Sequence, residues 1–334
     1  PMGMKSYYPY LLMLLPTLAM GGELKYSGLV FGDYYHFTSA EDSTIENQNG
    51  FWIRRIYLTF DSDISEEFSA RVRFEINTPY GFNKPDYLVP YIKDAYLKYK
   101  VGAQSLMFGI IPSPTFELME EEWGKRYLEK TPDDLYRIGP SREFGIGAKG
   151  RYKIFKYYAV VGNGEGERSE YNRNKKGMLS LAVEGIKGLT FEVYGDWWDI
   201  PGEKDKRTGH VFLAYKNDNM GFGVSYTRQQ TQGGYSNPEK WSNLRIAGIY
   251  FRAKFMEKFG LVLRYDRSFD KNRNVLNQSY IYFPSDTSFH FILASFEFSP
   301  VKNVFLSPNV EIVKSDDSNL KSTVISRFTV FYKF

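Results

Sequence analysis

The chain has 334 residues, 43% hydrophobic and 25% charged, with a mean hydropathy of −0.42. That is too polar for a bundle of membrane helices, each of which needs a run of about 20 apolar residues. With no cysteine, a disulfide scaffold, a thiol nucleophile and a Cys-ligated metal are excluded. The 43 basic and 39 acidic residues nearly cancel, to a net +4, which gives no electrostatic case for nucleic acid.

In chain order, the first segment reads as an address. Met4-Lys5 precedes an apolar run, Leu11–Met20, that is too short to span a bilayer, and Ala19-Met20-Gly21 supplies small residues for cleavage. Residues 1–21 are therefore expected to be a cleaved signal peptide, with Pro1-Met2-Gly3 as a start-site scar. The mature domain is expected over 22–334.

From there on the chain repeats one pattern, strand-length runs with apolar and polar residues alternating. The runs are 23–37, 50–61, 68–77, 91–101, 104–112, 142–152, 155–162, 176–186, 189–199, 209–216, 220–230, 244–255, 258–269, 287–299, 303–313 and 322–334. In 68–77, Ala70, Val72, Phe74 and Ile76 share one face, and Arg71, Arg73 and Glu75 the other. In 258–269, Leu261, Leu263 and Tyr265 oppose Arg264, Asp266 and Ser268. An aromatic content of 18% suits strands.

The connections alternate as well. Turns such as Gly102-Ala103, Lys153-Ile154 and Lys187-Gly188 are short, whereas 78–90, 113–141, 231–243 and 270–286 are long. Short turns at one end and long loops at the other predict an all-β fold, a 16-stranded antiparallel transmembrane β-barrel. In lipid only a closed barrel satisfies the backbone of a β chain. Trp52, Tyr57, Tyr99, Tyr152, Trp197, Trp198, Tyr250 and Tyr332, near strand ends, are expected in the aromatic girdles.

Counting alternate residues gives the lumen face. Its basic members are Arg55, Arg71, Arg73, Lys98, Lys149, Arg151, Arg252, Lys254, Arg264, Arg327 and Lys333. Its acids are Asp61, Glu75, Asp94, Glu143, Glu184, Glu192, Asp196, Asp266, Glu297 and Glu311. The two sets nearly balance, and no ring of a single sign stands out.

The loop 113–141 is the longest connection, and loops of that length are usually functional or disordered. Its middle, Thr115–Lys130, predicts a helix with Thr115 as N-cap, acids Glu117–Glu122 early and Lys125, Arg126 and Lys130 late. Leu118, Trp123 and Leu128 would anchor it to the inner wall. Such a helix would put Glu120, Glu121, Glu122, Lys125 and Arg126 where solutes pass. The alternative is that these charges decorate an outer loop in water.

Other motifs carry less. The G-x-G-x-x-G spacing in 145–150 lies inside an alternating strand, not between a strand and a helix. His36, His210 and His290 have no metal-ligand spacing, and Asp133-Asp134 and Asp316-Asp317 read as solvated acids, so neither metal nor cofactor is expected. His210 with Asp196 or Asp199 is the candidate constellation for the rival class, an outer-membrane barrel enzyme.

Two stretches resemble the phosphate-selective porins, sixteen-stranded bacterial outer-membrane proteins. They are Gly50–Phe60 (GFWIRRIYLTF) with Tyr91–Tyr99 (YIKDAYLKY), and the segment containing GIIPSPTFELMEEEWGKRYLEKTPDDL, similar to the family's inward-folded third loop. Phe334, ending an alternating strand, resembles the signal read by the barrel-assembly machinery. The resemblance implies residence in the outer-membrane lipid of a Gram-negative cell and a homotrimer. It also implies a non-enzymatic porin passing small hydrophilic solutes by passive diffusion, anions such as phosphate foremost. A general or cation-preferring porin stays open as the alternative.

Overall fold

The computed structural model describes residues 23–78, 87–200, 204–233, 241–277 and 280–334. The expected signal peptide, 1–21, lies outside the described residues. The strands are β1 Leu24–Ser39, β2 Asn49–Asp63, β3 Phe68–Asn77, β4 Val89–Val101, β5 Gln104–Pro112, β6 Arg142–Tyr152, β7 Phe155–Gly162 and β8 Lys175–Ile186. The second half continues with β9 Leu189–Asp199, β10 Lys206–Lys216, β11 Met220–Gln232, β12 Trp241–Met256, β13 Phe259–Ser268, β14 Phe289–Phe298, β15 Val304–Ser315 and β16 Thr323–Lys333. Every strand pairs antiparallel with its sequence neighbours, and β1 pairs with β16, closing the barrel. The expected strand count, order and closure are all observed.

Alternation fixes which face is which. On β9, Thr190, Glu192, Tyr194 and Asp196 are buried inside, while Phe191, Val193 and Trp197 are exposed outside. Outward Leu181, Leu213, Leu263, Ile292 and Phe328 continue this apolar belt, the surface a lipid phase requires. At the short-turn end, Lys187 and Gly188 both take positive φ (45° and 83°), the geometry of a tight hairpin turn matched to strand twist.

Strict alternation fails at β-bulges, two of which lie on the polar early strands. Between β1 and β2 the register slips from Phe31↔Arg55 to Gly32↔Ile53, which leaves Arg54 as the extra residue. Between β3 and β4 it slips from Arg73↔Asp94 to Phe74↔Ile92, which leaves Lys93. A bulge adds one unpaired residue and re-aims its side chain. Arg54 and Lys93 thereby turn inward beside Arg55 and Asp94, and both are buried.

The girdle expectation needs correction. Tyr99, Tyr152, Trp197 and Tyr332 are exposed on the outside. Tyr57 instead donates inward to Glu75 at 3.2 Å, and Tyr250 packs at 5.0 Å against Trp123 within the barrel. Trp52 meets Tyr280 at 5.6 Å, and Trp198 lies on the lumen-facing parity of β9. These four rings serve the material inside the lumen.

Candidate functional site: the lumen and its inward loop

The loop 113–141 enters the barrel. Its helix is shorter than expected: α1 spans Glu117–Trp123, and Gly124 ends it at φ 61° with its N–H on Glu120 O at 3.0 Å. Glycine suits this left-handed C-terminal position. Thr115 is not the N-cap; that position is Phe116, with no side-chain bond. The Thr115 hydroxyl instead meets Tyr194 Oη at 2.9 Å and Ser113 Oγ at 2.6 Å. A second short helix, α2, spans Pro132–Leu135.

Apolar contact holds the loop. Leu118, Trp123 and Leu128 are buried as expected, joined by Phe116, Met119, Leu135 and Tyr136. Of these, Met119, Trp123, Leu128, Leu135 and Tyr136 form one core with Phe212, Ile246, Tyr250, Phe289 and Phe291 from the β10–β14 wall. Tyr280, Ile281 and Phe283, from the connection before β14, join the same core. Burying one such side chain stabilises by about 1.5–3 kcal/mol. One side of the lumen is thus filled with apolar matter.

Polar pins complete the attachment. Asp133 of α2 accepts from Thr227 Oγ1 at 2.7 Å and faces His210 Nδ1 at 3.0 Å. Arg54 donates to the Leu128 carbonyl at 2.8 Å and pairs with Asp33 at 2.6 Å. Gln229 donates to the Ile138 carbonyl at 2.6 Å.

The other side, along β2–β8, is polar. Arg55 pairs with Glu75 at 3.0 Å, Arg73 with Asp94 at 3.2 Å, and Arg71 bidentately with Asp61 at 2.7 and 2.9 Å. Lys93 bridges Glu75 and Glu167, and Arg142 joins Arg73 on Asp94. From the loop, Arg126 lies between Glu120 at 3.3 Å and Asp134 at 3.4 Å. Lys149 on β6 reaches Glu117 of α1 at 3.0 Å.

Cavities mark the two ends of this polar side. Toward the long loops, a cavity of about 160 Å³ is lined by Phe31, Trp52, Arg54, Arg55, Asn77, Thr78, Arg126, Lys130, Arg137 and Tyr280. Among these described residues five are basic and none is a carboxylate. Toward the short turns, a cavity of about 280 Å³ mixes Glu117, Glu121 and Glu192 with Lys149, Arg151 and Lys156. A third, about 300 Å³, opens beside Lys125, Arg252 and Lys254 at the same end.

The ten residues singled out from sequence divide accordingly. Arg55, Arg71, Arg73 and Lys98 lie on the polar wall, and Glu120 and Arg126 belong to the loop beside it. Glu121 borders the short-turn cavity. Lys125 turns away to Glu297 at 2.6 Å, bordering the third cavity. Glu122 and Arg264 line none of these three cavities. Glu122 is buried against Thr190 and Lys216, at 3.1 and 2.9 Å. Arg264 is 4% exposed, packed over Trp123 and Phe291, and bonded to Asp266 and the Lys130 carbonyl. Both fasten the loop to the wall.

Counting alternate residues missed Arg54 and Lys93. Their signal was two consecutive charges in a strand, Arg54-Arg55 and Lys93-Asp94, one of which strict alternation would push into lipid at a cost of about 2–4 kcal/mol. The enzyme constellation does not assemble around His210. Its ring nitrogens face Asp133 and Glu192, whereas Asp196 pairs with Lys176 at 3.0 Å. Asp133 is fully buried, and Asp134 faces Arg126 and Lys130, so neither is a solvated loop acid.

No family model and no curated protein matches the sequence. Solved structures do match in shape. The anion-selective porin from Comamonas acidovorans superposes with TM-score 0.70 at 10% identity, over 93% of this chain and 99% of that one. OmpF of Salmonella typhi, solved with daunomycin, gives 0.67 at 12% identity, over 94% and 98%. The outer-membrane channel DcaP of Acinetobacter baumannii gives 0.64 at 14% identity, over 94% and 98%. A closed sixteen-strand barrel, an apolar outer belt, a loop folded into the lumen and these superpositions give this chain the fold of the outer-membrane porins.

Proposed function

We propose that the chain is a porin of the bacterial outer membrane that passes small hydrophilic solutes by passive diffusion and favours anions. One observation carries the sign: Arg54, Arg55, Arg126, Lys130 and Arg137 line the long-loop cavity without a carboxylate among the described lining residues. Charges of one sign in a low-dielectric cleft focus the field and concentrate counter-ions. The carboxylates that pair with these guanidiniums, Asp33, Glu75 and Asp134, stand outside the cavity lining, so an entering anion meets the guanidinium groups first. It then passes the loop toward the short-turn cavity, where acids and bases balance.

Phosphate is the compact anion that the sequence resemblance suggests. That resemblance also brings a homotrimer into the proposal. The balanced short-turn cavity favours a second reading, a general porin of weak selectivity.

Single-channel current in a planar bilayer tests both, with a KCl gradient for the reversal potential and phosphate added for block. An anion-favouring reversal that weakens in Arg55→Ala/Arg126→Ala supports the proposal. A reversal near zero or favouring cations leaves the general porin. Absence of current from folded protein would sink both.

A further inference from the structure

The outer surface carries a groove that the barrel leaves unfilled, of about 630 Å³ across β7–β11. Its walls are apolar, with Val161, Leu179 and Trp197 exposed. Its floor is the backbone at Gly177, Gly195 and Gly209, in adjacent strands with Gly195 opposite Gly209. Nothing among the described residues demands glycine there. A Cβ at Gly177 would meet nothing within 4 Å, and at Gly195 and Gly209 the nearest atoms lie at 3.9 and 3.7 Å. By contrast, Gly145 is obligatory, since a Cβ would fall 2.2 Å from the Val161 carbonyl. Glycine within a strand often marks a place where another molecule approaches the backbone.

At its long-loop end the groove changes character, because Arg207 and Arg228 line it there. Arg207 stacks 4.4 Å over Trp241 and donates to Gln230 at 2.7 Å. Arg228 donates twice to Asn243, at 3.0 and 2.8 Å. Both guanidiniums are thus held by neutral partners. Arg245, in register with Arg228 on the next strand, is instead neutralised by Asp270 at 2.9 Å. Two oriented cations, with no carboxylate partner among the described residues, above an apolar slot call for an amphiphile with an anionic head. Guanidinium pairs with phosphate through parallel hydrogen bonds. A charge facing lipid is tolerated at the interface and not at the midplane, which sets the height of the pair at the headgroups.

We propose that this groove binds a phosphorylated lipid of the outer leaflet, its phosphate on Arg207 and Arg228 and an acyl chain over Gly195 and Gly209. A second copy of the barrel is the competing occupant. It would have to bury both guanidiniums against a surface that supplies its own acids.

The test is native mass spectrometry of the full barrel folded in detergent, with lipid A as probe and dephosphorylated lipid A as control. Wild type should retain lipid A and not the control. Arg207→Gln/Arg228→Gln should weaken retention about tenfold or more, and Gly195→Leu should abolish it by filling the groove. Conductance should be unchanged in the arginine variant, which also preserves the test if Gly195→Leu does not fold. Equal retention in wild type and the arginine variant overturns the proposal. So does loss of oligomers in Gly195→Leu with lipid A retention intact, which assigns the groove to a second copy.

Discussion

His210 on β10 and Asp133 of the inward loop face each other at 3.0 Å, and neither side chain has any exposure to solvent. The other ring nitrogen faces Glu192 at 3.3 Å. The ring thus bridges an acid of the loop and an acid of the wall, and so pins the loop to β9 and β10. The histidine of the candidate enzyme constellation is instead a fastener.

Removing that fastener should be costly. Breaking a buried pair strands the remaining charge and destabilises by about 3–5 kcal/mol. His210→Ala should lower the urea midpoint of the barrel in vesicles by a corresponding amount and increase open-channel noise. An unchanged midpoint would mean that the apolar anchors suffice.

Trp123 is the largest of those anchors, 1% exposed and packed on Tyr250 and Arg264. Trp123→Ala should destabilise by about 3–5 kcal/mol. The loop should then exclude solute from less of the lumen, so single-channel conductance should rise. A variant that loses stability at unchanged conductance would place the narrowest point elsewhere.

Lys130 supplies a pH dependence. Burial pushes its ammonium down to about 8, and Arg126 and Arg55 add to that against the opposing charge of Asp134. As pH rises through 8 the long-loop cavity loses one positive charge, and anion preference should fall. Lys130→Arg keeps its charge throughout and should flatten the profile of reversal potential against pH. The stability sign follows from the lowered value. The folded state disfavours the charged form, so this group weakens folding below about 8 and ceases to do so as pH climbs toward 10.5.

Two ion pairs on the first strands should behave differently. Arg54 and Asp33 meet at 2.6 Å with side chains 4% and 0% exposed. Arg54→Ala should cost about 3–5 kcal/mol by leaving Asp33 buried and uncompensated. Lys25 and Asp63 meet at 2.8 Å on the surface, and Lys25→Ala should leave the unfolding midpoint where it is. Parallel unfolding curves would show the contrast.

The strands were legible because their period of two is a local property, written within each run and confirmed by its turns. What lies inside the barrel was less so. Phe289, Phe291 and Leu293 point inward while Ile292 points outward, so β14 is apolar on both faces. A wall strand facing only water would not be, and that excess was the available sign of a filled lumen. The pairing of Asp133 with His210 spans 77 residues and leaves no local trace. Alternation puts Arg264 on the lumen face without saying what covers that face, and a helix in the lumen puts Glu122 there without saying which side of it meets the wall.

The seam between β1 and β16 sets the order of assembly. Thr329 Oγ1 donates to Asp33 at 2.6 Å across 296 residues, and Gly28 and Phe334 exchange backbone hydrogen bonds at 2.9 Å. All other strand contacts join sequence neighbours and can zip as hairpins. The seam alone waits for nearly the whole chain. Its entropic cost grows slowly, about 0.6 kcal/mol per doubling of the loop, but contacts of such separation form late. Until they form, both edge strands present unpaired amides that hydrocarbon cannot satisfy. A nearly complete chain is therefore no more membrane-competent than a half-made one, and it carries the most exposed edge and apolar surface of any species on the path.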